Sequence, residues 1–175
     1  TLKRRVHANE GNMRRVVSPL TTLAAELEDD DDAVLEILTA AGITLTKEDI
    51  YSDPMLKLKD KTADTLEETD LDQVVANLAV NAALKTVGAK STNIAAVIGS
   101  VKATMDPATI ITAAKASPST TVPITTVVTS TLITTTNTVV AKVEKAKEEG
   151  TFDEDSLATT ITETIAKQLP PAEKI

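Results

Sequence analysis

Three groups of residues in this chain have types that could do chemistry: one histidine, several runs of carboxylates, and clusters of threonine. His7 lies in a basic segment without a nucleophile beside it, so a triad has no natural partners there. Glu28 to Asp32 and Phe152 to Ser156 supply hard oxygens, as do Asp49 and Asp53, and calcium is the ion such oxygens suit. Asp29, Asp31 and Asp32 are the candidate metal ligands. Neither run has the glycine and terminal bidentate Glu that a helix–loop–helix calcium site needs. The acids therefore read first as a solvated turn and as helix caps, where the positive end of a helix favours them. No glycine-rich loop resembles a phosphate cradle. The expectation is a chain with no catalytic residues and no cofactor, with calcium as the single ion to test.

Threonine makes up 29 of the 175 residues. Surface arrays for ice or polysaccharide need a period that puts Thr on one flat face, and no such period is visible. O-glycosylation would use the same clusters. The simpler reading is that these hydroxyls fill gaps between helices and bond back to helix carbonyls.

Tyr51 and Phe152 are the only aromatic residues, so the core must be aliphatic, and pockets with aromatic walls lose weight. The absence of Cys excludes thiol catalysis, disulfides and cysteine-ligated zinc. No stretch of about 20 apolar residues suggests a membrane span. The chain opens on Thr1 rather than Met, and we read it as a piece of a longer protein. Net charge is −8 but unevenly placed: residues 1–17 hold Lys3, Arg4, Arg5, Arg14 and Arg15 against Glu10, which is +4 and leaves −12 on the rest. An acidic body argues against nucleic acid as the partner. The five basic residues read either as a solvated hairpin or, more sharply, as the candidate partner-binding set, an arm that docks on an acidic neighbour.

The elements that must position these residues are mostly helical. Residues 1–17 read as a short β-hairpin or strand arm around Asn9 to Asn12, and end at Ser18-Pro19, a capping residue followed by a proline suited to a first helical turn. Leu20, Leu23, Ala24 and Leu27 form one helical stripe, and Val34, Ile37, Leu38 and Ala41 a second, closed by Gly42. The acids between them form the turn, and one Asp caps the second helix. Residues 43–69 are a polar connector with a short helix or two. Asp70 is expected to cap a central helix running to Val87, apolar on two sides and stopped by Gly88. Ile94, Val97, Ile98, Val101 and Met105 make the next stripe. Asp106-Pro107 starts a short helix, Ile124 to Glu149 one long Thr-rich helix stopped by Gly150, and Asp153 a last one. The fold class is mainly α: an irregular multi-helix bundle over 18–175, preceded by residues 1–17, read as a basic arm or as the end of an upstream β-domain.

Ser18 to Leu23 (Ser-Pro-Leu-Thr-Thr-Leu), Ala41-Gly42 and Asp53-Pro54 carry a resemblance. The segment resembles helical modules that follow Ig-like or carboxypeptidase-regulatory-like β-domains in large bacterial or cyanobacterial surface proteins and related phage virion proteins. It covers about the first third of the chain. The resemblance implies a structural or assembly module at the cell surface, outside the cell or in a virion, with other copies or neighbouring domains as protein partners. The alternative is a calcium-dependent adhesive or binding module of a secreted surface protein.

Overall fold

The computed structural model describes residues 17–54, 56–58, 61–62, 64–104, 108, 111–112, 133, 137 and 140–151. Its named helices are α1 (Pro19–Glu26), α2 (Asp31–Ala40), α3 (Lys47–Tyr51), α4 (Glu68–Thr86) and α5 (Ile94–Thr104), with a 3-10 turn at Leu56–Leu58 between α3 and α4. Residues 140–148 are also helical, and no strand occurs among the described residues. The expected mainly helical fold is therefore observed. The β-arm, Met105 with the Asp106-Pro107 start, most of the Ile124 to Glu149 helix and the last helix all lie outside the described residues.

α1 begins where the sequence places it. Ser18 is extended (φ −141, ψ 169) and its hydroxyl accepts from Thr21 N, while Thr21 Oγ1 accepts from Ser18 N at 2.8 Å. Leu20 and Leu23 are fully buried, each a burial that stabilises by roughly 1.5–3 kcal/mol. The helix ends without glycine: Glu28 and Asp29 both take left-handed φ, 61 and 62. Asp29 N reaches back to Ala24 O at 2.8 Å, which closes the last carbonyls of α1.

α2 starts on Asp30, whose side chain accepts from Ala33 N. It ends in a full Schellman closure: Ile43 N donates to Leu38 O and Gly42 N to Thr39 O, with Gly42 at φ 80. Leu38 and Ile43, the apolar pair expected at such an end, are both in the core. The left-handed position is one that a side chain would strain.

α4 is the central helix. Eleven of its 19 residues are buried, on sides facing both α1 and α5. Its start differs from expectation by one turn. Asp70 is the third residue of the helix rather than its cap, and its carboxylate reaches back to the backbone N–H of Glu67 at 2.9 Å. Glutamate is a poor cap by side chain, so Asp70 supplies the partner from inside the helix. α5 packs against α4 and lies across the end of α2. Gly99 allows the latter, because a Cβ there would sit 3.4 Å from Ala41 O and 3.5 Å from Ala41 Cα.

Polar side chains that the apolar stripes do not mark are buried with the core: Gln73, Asn77 and Thr86, all on α4. Each completes a helix end or a helix carbonyl. Thr86 Oγ1 donates to Ala82 O, and Ser100 and Thr112 likewise bond back four residues. That is the role expected of the hydroxyls.

Candidate functional site

The acidic turn was the candidate metal site, and the structure separates its members by giving them different work. Asp30 caps α2. Asp31 Oδ1 accepts from the hydroxyl of Tyr51 at 2.6 Å, and Asp32 pairs with Lys47 at 2.8 Å. Tyr51 and Lys47 stand four residues apart on α3, so the two contacts together fasten α3 against the first turn of α2. Asp29 sits outside both helices in its left-handed position. Among the described residues, no group of three or more His, Asp or Glu is arranged to hold a metal ion. The other candidate set, Lys3, Arg4, Arg5, Arg14 and Arg15, lies outside the described residues, as does His7.

Sequence reading missed a polar system that joins the helix ends. Asn77 Oδ1 accepts from the backbone N–H of Leu20, and Asn77 Nδ2 donates to Gln73 O. One turn earlier on α4, Gln73 Nε2 lies within 3.1 Å of Asp49 O, Ser52 O and Ser52 Oγ at the end of α3. Two carbonyls facing the amide nitrogen fix its orientation, since the amide oxygen would repel them. Gln73 Oε1 then points the other way and has no hydrogen-bond partner among the described residues.

Lysines complete the other ends. Lys102 Nζ donates to Gly42 O at 2.6 Å, beyond the end of α2, and Lys147 Nζ donates to Thr86 O at 2.6 Å, at the end of α4. A cation at a helix C-terminus also meets the negative end of the dipole. The only sequence signal for these residues was negative: Gln73 and Asn77 interrupt an otherwise apolar face of α4.

Two carboxylates are displaced from their ordinary behaviour. Burial pushes the Asp49 carboxyl upward, but the backbone N–H and hydroxyl of Thr46 and the ammonium of Lys57 outweigh it and hold it below the usual range. Asp72 is raised by burial, which Lys102 and Lys57 oppose without cancelling. Both lie where α3, the 3-10 turn and α4 converge.

On the outer side of α2, Asp32, Leu35, Glu36, Thr39 and Ala40 line a shallow depression. A second depression lies between the start of α4 and Ile111. No helix among the described residues is long and apolar enough to cross a membrane. No protein-family model, curated protein or solved structure is significantly similar to this chain.

Proposed function

We propose that the chain is a non-catalytic structural module of an extracellular assembly, such as a surface appendage, filament or virion, and that it associates through its basic N-terminal segment. The observation that carries this reading is the seam at Val17 and Ser18. Val17 is 51% exposed and Ser18 only 5%. Ser18, Thr21 and Thr22 are bonded into one buried cap, with both threonine hydroxyls on Ser18 O at 2.9 Å.

The buried cap fixes the start of α1, and with it the point at which residues 1–17 join the helical part. The resemblance of the Ser-Pro-Leu-Thr-Thr-Leu segment to modules of surface proteins supports the setting. The charge division supports the mode of association, with +4 before the seam and −12 after it.

The test replaces Arg4, Arg5, Arg14 and Arg15 with Ser and measures melting temperature and sedimentation. Loss of association with an unchanged helical fold supports the proposal. Unchanged sedimentation contradicts it, and unfolding assigns the segment to this domain's own stability.

A further inference from the structure

All four polar atoms of Asp49 are engaged, and they join three elements. Asp49 Oδ2 accepts from Thr46 N at 2.9 Å and from Thr46 Oγ1 at 3.0 Å, which closes the start of α3. Asp49 N donates in return to Thr46 Oγ1. Asp49 Oδ1 accepts from Lys57 Nζ at 3.2 Å and so holds the 3-10 turn. Asp49 O accepts from Gln73 Nε2 at 3.0 Å and so holds α4. α3 depends on such contacts. It has five residues and one buried side chain, Ile50, and a helix that short does not stand without its neighbours.

We propose that Asp49 is an acid-operated latch: when its carboxylate takes a proton, α3 comes away from the body of the fold while the four longer helices stay packed. A neutral carboxyl no longer attracts Lys57, and it is a weaker acceptor for the two Thr46 donors. Burial opposes the charge of Asp49, but the Thr46 N–H, the Lys57 ammonium and the Thr46 hydroxyl outweigh it, so the folded value lies below the ordinary one. The hold is therefore complete above about pH 4 and is lost as pH falls through the folded value. The other charged groups around α3 are Lys47 and Glu48 on the helix itself, Asp30, Asp31 and Asp32 from α2, and Lys57 from the 3-10 turn. α4 brings Asp72, which shares Lys57, and Glu26 is the one ionisable residue of α1. Joins among the longer helices use groups that do not titrate in acid: Ser18 with Thr21 and Thr22, Asn77 with the Leu20 N–H, and Lys102 with Gly42 O. Asp30 and Asp70 act at the starts of their own helices. Release of the latch uncovers Ile50 and draws Tyr51 away from Asp31.

Tyr51 is the only Tyr in a chain without Trp, so its near-ultraviolet circular dichroism reads the packing of α3. The far-ultraviolet signal reads the longer helices. In an acid titration of the full chain, the Tyr51 band should be lost at a higher pH than the far-ultraviolet signal. Asp49→Asn should remove that early step, since Asn does not titrate. Asp31→Asn should keep it, which separates loss of the latch from protonation of the carboxylate beside the Tyr51 hydroxyl. Lys57→Met should move the step to higher pH, because Asp49 loses a charge that favours its ionised form. That variant carries the test if Asp49→Asn does not fold. Loss of both signals together in the parent overturns the proposal, as does a Tyr51 band that never departs. An early step that survives Asp49→Asn, or that Lys57→Met leaves in place, overturns it equally.

Discussion

Asn77 Oδ1 accepts a hydrogen bond from Leu20 N at 3.3 Å, across 57 residues of sequence, so that α4 closes the N-terminus of α1. Leu20 N is one of the donors that a helix cannot satisfy for itself, and here it is buried away from water. Asn77→Ala should therefore destabilise by about 1–3 kcal/mol, the cost of leaving a buried donor unmade. Urea unfolding of the two proteins measures it. A loss below a few tenths of a kcal/mol would mean that the bond carries no weight.

Gly42 and Gly88 share a left-handed φ, 80 and 85, but differ in surroundings. A Cβ on Gly42 would sit 3.4 Å from Lys102 Nζ, whereas one on Gly88 meets nothing within 4 Å. Gly88→Ala should cost about 1–2 kcal/mol for the backbone alone. Gly42→Ala should cost about the same, since 3.4 Å is ordinary contact and the end of the Lys102 side chain can yield. Urea unfolding of both variants checks this, and a Gly42→Ala cost well above that of Gly88→Ala would contradict it.

The two displaced carboxylates should act on acid stability with opposite signs. Asp49 has a folded value below its unfolded one, near 4. Its contribution is complete above the unfolded value and disappears as pH falls through the folded one. Asp49→Asn should lower stability at neutral pH and flatten the acid limb. Asp72 is raised, so its charge opposes folding above the folded value, and protonation relieves that cost as pH falls. Asp72→Asn should raise neutral-pH stability. Denaturant melts from pH 3 to pH 7 separate the pair, and a common sign would refute the assignment.

Calcium should matter little. Asp30, Asp31 and Asp32 have partners on three different atoms, and moving them to one ion would break the α2 cap and the α3 contacts. Millimolar calcium should shift the melting temperature only slightly and without saturation. A saturable shift that vanishes in Asp29→Ala with Asp31→Ala would instead identify a specific site and the adhesive reading.

How much of this was legible depends on the distance over which a residue finds its partner. Ser18, Pro19 and Thr21 cap locally, and Gly42 closes its own helix, so those boundaries stand in the sequence. The stripes of α1, α2, α4 and α5 were legible for the same reason: 3.6-residue spacing is local. Asp70 was placed one turn off, because a carboxylate can serve a helix start from the cap or from the third residue with the same spacing to the apolar run. Gln73, Asn77, Lys102 and Lys147 were not legible at all. Their partners are 21 to 61 residues away, and nothing in a local window distinguishes a polar residue that completes another helix from one that faces water. Gly99 was hidden likewise, since only the approach of α5 to Ala41 gives it a reason.

The central claim is that the chain associates through charge, and sedimentation velocity of the full chain across salt concentration tests it most directly. Exposed charge pairs are screened over about 10 Å at 0.1 M salt and over about 3 Å at 1 M. The account predicts species larger than a monomer at low salt that dissociate progressively as salt rises, with the helical circular dichroism signal unchanged. A monomer at every salt concentration, or association indifferent to salt, would contradict it.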